Sequence, residues 1–158
     1  MTQQTATTMR PTTLQGKITG KSLTFLVLCA GLCNTLAAGD WPTWRYDARR
    51  SARSPEKIPA EIQVRWHRQW PPLAPAYRSP RLQFDAGYEP IISGGLVFIA
   101  SSFNDSVTAL NLKDGSQAWR FHANGPVRFA PCAFDGKVYF GSDDGYLYCL
   151  QGRTGVLE

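Results

Sequence analysis

The sequence holds 158 residues, with 17 Lys and Arg against 12 Asp and Glu, for a formal net charge of +5. Three basic residues, Arg10, Lys17 and Lys21, precede an apolar run, and most of the remaining excess lies at Arg45, Arg49, Arg50, Arg53, Arg65 and Arg68. A nucleic-acid binder carries a strong basic face; here the downstream part of the chain is nearly neutral, which excludes nucleic acid as a partner.

Residues 1–37 read as a signal peptide. The apolar run spans Leu23 to Cys33, and no acidic residue occurs before Asp40. A basic segment leading into an apolar stretch of this length is a secretory pattern. Thr35-Leu36-Ala37 places small residues at the −3 and −1 positions, so cleavage is expected between Ala37 and Ala38. The run is shorter than the ~20 apolar residues of a spanning helix; an uncleaved anchor is the alternative. The expected location is periplasmic or extracellular, with no membrane contact apart from the signal. Cys29 and Cys33 leave with it.

Residues 38–60 form an irregular leader. Ile62-Gln63-Val64-Arg65-Trp66 then reads as a strand ending in a tryptophan, within residues 61–70. A connector over residues 71–88 carries Pro71, Pro72, Pro75 and Pro80 and has the composition of a surface excursion.

The rest of the chain says the same thing twice. Pro90 matches Pro131, Gly95 matches Gly136, Leu110 matches Leu150, and Gly115 matches Gly155. Repeats with a period of about 40 residues signal propellers, solenoids or arrays. In the second copy, Cys132 to Phe134 reads as a strand, Asp135-Gly136 as a hairpin turn, Lys137 to Gly141 as a second strand, Asp143-Asp144-Gly145 as a turn, and Tyr146 to Leu150 as a third strand. The first copy repeats these beats through Leu96 to Ala100, Val107 to Leu110 and Gln117 to Phe121, with one extra residue near Phe103. Leu96 to Ala100 is apolar on both faces, which suits a strand sandwiched between neighbouring sheets. Four strands per ~40 residues without a helix is the rhythm of a propeller blade. The expected fold is therefore all-β: a partial propeller with about two four-stranded antiparallel blades, the first over residues 89–126 and the second, incomplete, over 127–158.

Chemistry-bearing residues are few. Cys132 and Cys149 fall on the first and third strands of one meander, so a whole strand separates them by roughly 9–10 Å. A disulfide needs Cα atoms closer than about 7 Å, and two buried free thiols are expected. No CxxC or HxxxH spacing suggests a metal. Asp135, Asp143 and Asp144 read as turn residues rather than calcium ligands, and Asn104-Asp105-Ser106 as a turn that also fits a glycosylation sequon. His67 and His122 each lie just after a tryptophan of an outer strand, one or three residues on, a poor place for catalysis. No catalytic, cofactor or metal residue is singled out.

Ala109-Leu110-Asn111-Leu112-Lys113-Asp114-Gly115-Ser116-Gln117-Ala118-Trp119 resembles the tryptophan-docking pattern A-L-D-x-x-T-G-x-x-x-W of quinoprotein-type repeats. Cys149-Leu150-Gln151-Gly152-Arg153-Thr154-Gly155 matches its T-G core. The resemblance covers residues 90–158 and implies a PQQ-like β-propeller, in which the tryptophan of one blade stacks near the glycine of the next. The docking set so implied is Trp66, Leu110, Gly115, Trp119, Leu150, Thr154 and Gly155. The leader, Asp40-Trp41-Pro42-Thr43-Trp44-Arg45-Tyr46-Asp47 with Arg49-Arg50-Ser51, resembles the W-P-x-x-R-x-D-x-x-R-S opening of exported bacterial members. On that likeness, residues 61–70 supply the closing strand of the last blade.

The family includes PQQ-dependent dehydrogenases, which hold PQQ with calcium, and cofactor-free scaffolds that bind proteins. The mature chain lacks the adjacent cysteine pair of the dehydrogenases. The implied function is a non-catalytic binding module; the alternative is the N-terminal part of a quinoprotein dehydrogenase, with PQQ and calcium possible only in a full-length parent. Six to eight blades need ~240–320 residues, so the chain is expected to be part of a longer protein. Its expected partners are the remaining blades or another protein.

Overall fold

The computed structural model describes residues 39–72, 75 and 87–158. The signal reading, its cleavage site, Cys29, Cys33 and most of the proline-rich connector lie outside the described residues. Among those described, the chain forms seven strands and no helix: β1 (Ile91–Ser93), β2 (Leu96–Ser101), β3 (Ser106–Asn111), β4 (Gln117–His122), β5 (Cys132–Phe134), β6 (Lys137–Gly141) and β7 (Leu147–Gln151).

Each repeat is an antiparallel meander, one ordered β1-β2-β3-β4 and the other β5-β6-β7. The turns set the register. Gly94 and Gly95 take φ of 57° and 78°, and Asp135 and Gly136 take 48° and 72°. Two consecutive positive φ values define the tight hairpin whose twist matches that of its strands. Ser93 accordingly pairs with Leu96, and Phe134 with Lys137. The loop between the second and third strands of each repeat differs by the extra residue of the first copy, where Asp105 takes φ 51°. Ser106 is fully buried and donates its hydroxyl to Asn104 Oδ1 at 2.7 Å, so this tripeptide works as a turn.

The last turn is reproduced in its main backbone bonds. Gly115 N donates to Asn111 O and Gly155 N to Gln151 O, both at 2.8 Å. Leu112 N donates to Gly95 O at 3.0 Å, as Gly152 N does to Gly136 O at 2.8 Å. A bulge between Ala109 and Leu110 shifts the β3–β4 register, pairing Ala109 with Trp119 and Leu110 with Gln117. In the second repeat only the equivalent bridge, Leu150 to Leu157, is present, together with the bond from Glu158 N to Cys149 O. The second sheet therefore has three strands and the first rung of a fourth, not four strands.

The core lies between the two sheets. Alternate residues Ile91, Phe98, Val107, Ala109 and Trp119 of the first sheet meet Val138, Phe140 and Leu150 of the second, with Val127 filling the connection. Phe121 closes the cluster edge-on to Phe140 and Tyr148, at 6.0 and 5.4 Å between ring centroids. Phe140 and Tyr148, cross-strand partners in β6 and β7, stack at 5.2 Å. Burying each large apolar side chain contributes roughly 1.5–3 kcal/mol, so this interface is a large stabilising contribution.

Residues 61–70 form no strand. Ile62 and Val64 stand 78% and 85% exposed. Alternation alone does not make a strand; the backbone groups need a neighbouring ladder, and none lies beside this segment among the described residues. The leader, by contrast, is more ordered than its composition suggests. Trp41 bridges Ile92 of β1, and Pro42 O accepts Ala133 N of β5 at 2.7 Å.

Candidate functional site

The residues singled out by the repeat converge on two copies of one contact. Trp119 projects from β4 and lies flat against Gly155, whose φ is 71°. A Cβ added there would lie 2.6 Å from Trp119 Cδ2. Only glycine allows both the left-handed backbone and that approach. The indole Nε1–H of Trp119 donates to Gly152 O at 2.9 Å, and the residue is 9% exposed. Phe98 backs it at 5.7 Å.

Trp66 repeats the contact one unit earlier. Its ring lies over Gly115, also at φ 71°, where a Cβ would be 2.7 Å from Trp66 Cε3. Its Nε1–H donates to Leu112 O at 2.9 Å. Leu112 and Gly115 occupy the positions of Gly152 and Gly155. Arg68 Nη1 adds a bond to Gly115 O at 3.1 Å. So the 61–70 segment lacks its strand, yet its tryptophan is seated on the first repeat as Trp119 is on the second. The ring needs only a turn to dock on, whereas the strand needs a ladder.

The other members of the set support these turns. Leu110 and Leu150 are buried at the same place in β3 and β7. Thr154 Oγ1 accepts Val156 N at 3.4 Å. Its counterpart is Asp114, which accepts both Ser116 N (2.9 Å) and Ser116 Oγ (2.6 Å) through Oδ1. Those two bonds from Ser116 hold the Asp114 carboxyl below its ordinary range.

The turn aspartates are similarly engaged. Asp143 pairs with Arg128 Nε at 2.9 Å. Asp144 accepts Tyr148 Oη (2.6 Å), Asn124 N (3.0 Å) and Tyr146 N (3.0 Å). Desolvation pushes its carboxyl up, but these bonds outweigh it and leave Asp144 below the usual carboxylate range. His67 and His122 are exposed. Among the described residues, no three His, Cys, Asp or Glu side chains gather where they could hold a metal ion.

The thiols need a correction. Cys132 and Cys149 are free, as the spacing predicts, and Tyr139 lies between them in one register row. But Cys132 is exposed and Cys149 half-exposed, because the face of the second sheet they share is uncovered.

Two consecutive meanders, stacked face to face and each receiving a tryptophan from the preceding segment on a glycine turn, define blades of a β-propeller built from sequence repeats. The family model described as "Outer membrane protein assembly factor BamB" matches residues 43–158. The chain belongs to this PQQ-like repeat family. Among solved structures it is similar to BamB from Moraxella catarrhalis, with 25% identity over 44% of this chain and 21% of that one and a TM-score of 0.39. It is similar to the quinohemoprotein alcohol dehydrogenase ADHIIG from Pseudomonas putida HK5, with 26% identity over 48% of this chain and 13% of that one and a TM-score of 0.41. A europium-containing methanol dehydrogenase shares 16% identity over 47% of this chain and 14% of that one, with a TM-score of 0.39. The chain thus spans 21% or less of the length of these three structures. No curated protein matches it.

Proposed function

We propose that this chain supplies blades to an exported, non-catalytic PQQ-like propeller that holds other proteins. The observation that carries the reading is the repeated docking contact: the conspicuous side chains of both repeats are spent on packing one unit against the next and on holding the turns that receive it. Trp66 and Trp119 seal units, Asp114, Asp144 and Thr154 tie turns, and Asp143 holds Arg128. The family description, an outer-membrane assembly factor, points the same way. Its partners are the remaining blades or another protein, and the first 37 residues direct it out of the cytoplasm.

PQQ and calcium do not fit the described residues. Calcium takes six to eight oxygen ligands, and no carboxylate cluster of that kind is present among them. The two cysteines are a strand apart rather than adjacent. No cofactor is therefore assigned to these residues, and PQQ with calcium is left to a full-length parent.

The test is a titration of PQQ with calcium into the purified chain, followed by absorbance and by an electron-acceptor dye. No saturable binding is expected. Stoichiometric binding with alcohol- or sugar-dependent dye reduction would overturn the scaffold reading in favour of a dehydrogenase. Export is tested separately. N-terminal sequencing of secreted material should start at Ala38, and recovery of the full chain embedded in membrane would make the apolar run an anchor.

A further inference from the structure

The leader has too much internal structure for a linker. Four residues other than glycine take positive φ within it: Arg45 (58°), Tyr46 (80°), Arg50 (56°) and Ala52 (53°). Such placements cost of order 1–3 kcal/mol each and persist only where the surroundings over-determine them. The surroundings are specific. Ala52 N and Asp47 N both donate to Arg45 O, at 2.9 and 3.1 Å, Arg50 N donates to Asp47 O at 2.8 Å, and Tyr46 N to Thr43 O at 2.9 Å. Asp47 then staples the knot: one carboxylate oxygen accepts Ser51 N and the other Ser51 Oγ, both at 2.9 Å. The bond from the Ser51 amide is the main reason its carboxyl lies below the ordinary range. The guanidinium groups of Arg45 and Arg50 lie 5.7 and 5.3 Å from the Trp44 ring, close enough for cation–π attraction.

What this knot backs is the short segment just before it. Trp41 exchanges both backbone hydrogen bonds with Ile92, at 2.7 and 2.8 Å, and Pro42 O accepts Ala133 N at 2.7 Å. Ile92 and Ala133 are the middle residues of β1 and β5, the same position in successive repeats. Each lies on the first strand of its sheet, whose outer edge has no strand partner among the described residues. Adjacent carbonyls of the leader therefore satisfy the same amide in two successive blades. Pro42 suits the crossing point, since it brings no N–H that would need a partner. Asp40 extends the grip, accepting Gly94 N at 3.1 Å and Ser93 Oγ at 3.2 Å. The Trp41 ring meets Tyr46 edge-on at 5.2 Å and so connects the gripping segment to the knot.

We infer that residues 40–52 are a clamp: a built-in peptide that binds the open edges of β1 and β5 together, fixes the spacing of the two blades, and is held in its binding shape by the Asp47–Ser51 staple. An exposed first-strand edge is a ready template for pairing with another chain. The clamp occupies that template on both blades from within the same molecule. The interaction surface is the pair of edges, and its partner is a strained, preorganised segment, which lowers the ordering cost of binding.

Residue-resolved amide exchange on the full chain tests this, with Asp47→Ala and Ser51→Ala as variants. Asp47→Ala removes both acceptors of the staple. The clamp predicts exchange at Ile92 and Ala133 at least tenfold faster, rising in parallel, and several-fold faster exchange of the Trp119 indole N–H between the blades. Val107 and Ala109, inside the first sheet, should keep their rates. Ser51→Ala leaves the Ser51 N bond in place and should give the same pattern at smaller amplitude, so the proposal remains testable if Asp47→Ala does not fold. Acceleration at Ile92 with Ala133 and the indole unchanged, no acceleration at either edge, or a uniform acceleration that includes Val107 and Ala109 would each overturn the clamp.

Discussion

The two sheets share their turns and register but not their surroundings. In the first, Ile91, Leu96, Phe98, Val107 and Ala109 are all 8% exposed or less. The same positions of the second sheet hold Cys132, Lys137, Tyr139, Leu147 and Cys149, and Leu147 is 76% exposed. The opposite face of the first sheet is also buried, at Val97, Thr108 and Leu110, whereas the second buries only the face toward the first. Yet both have the same hairpin, the same last turn and the same docked indole. Blade geometry is thus a local property, set by glycine turns and backbone ladders. Blade stability is a neighbour property, set by what lies on each face, as in other repeat proteins where contacts run only between adjacent units.

Removing the contact that joins the sheets should do the most damage. Trp119→Ala deletes a nearly buried indole and its bond to Gly152 O, and such truncations cost ~3–5 kcal/mol. Gly155→Ala should follow closely. It forces a Cβ into a left-handed position, at ~1–2 kcal/mol, and pushes the ring off its seat as well. Denaturant unfolding followed by tryptophan fluorescence reads both. If Gly155→Ala were neutral, the close approach of Trp119 would not exist in solution.

A matched pair sharpens the difference between the faces. Val107 and Leu147 are equivalent positions, one fully buried and the other exposed. Val107→Ala should lower stability by about 2 kcal/mol through lost burial and the cavity left behind. Leu147→Ala should stay within about 0.5 kcal/mol, the usual range for surface changes. Equal losses would mean that something covers the second sheet in solution.

Trp66→Ala should fall between those values, near 1 kcal/mol. It forfeits one indole hydrogen bond, worth about 1 kcal/mol net, and a half-buried ring, but no strand depends on it. Local exchange at Leu112 and Gly115 is the measurement, and an effect as large as that of Trp119→Ala would place Trp66 in the core.

Much of this was legible in the sequence because its causes are local. Asp135-Gly136 and Gly94-Gly95 specify hairpins by the backbone angles they tolerate, and Asp114-Gly115 and Thr154-Gly155 mark the turns that receive an indole. What was not legible shares one cause. Ile62-Gln63-Val64 has strand alternation, but a strand exists only beside another, and alternation does not report a neighbour. Cys132 and Cys149 look buried by residue type, while their exposure depends on what covers the sheet. The grip of Trp41 on Ile92 and of Pro42 on Ala133 uses backbone atoms, which leave no side-chain signature.

The smallest expected effect is a response to acid, and it too separates the two sheets. Asp114 on the first and Asp144 on the second both have folded-state carboxyls below the ordinary value of 3.8. A depressed folded pKa means that the unfolded chain takes up the proton first as pH falls. The contribution to stability is therefore complete above the unfolded pKa of about 3.9 and is lost as pH falls through the lower folded value. Asp114 is exposed and Asp144 only half-buried, so solvent screening keeps each contribution slight. Their partners differ, however. Asp114 holds only the neighbouring Ser116, so its protonation should loosen one turn and leave the docked Trp66 in place. Asp144 joins Tyr148 on β7 to Asn124 in the connection between sheets, so its protonation should also speed exchange at Asn124. Amide exchange followed from pH 5 downward, in the parent chain and in Asp114→Asn and Asp144→Asn, should show the pH-dependent step at Ser116 vanish in the first variant and the step at Asn124 vanish in the second. A step at Asn124 that survives Asp144→Asn would assign the acid response to another group and leave the connection between the sheets independent of this carboxylate.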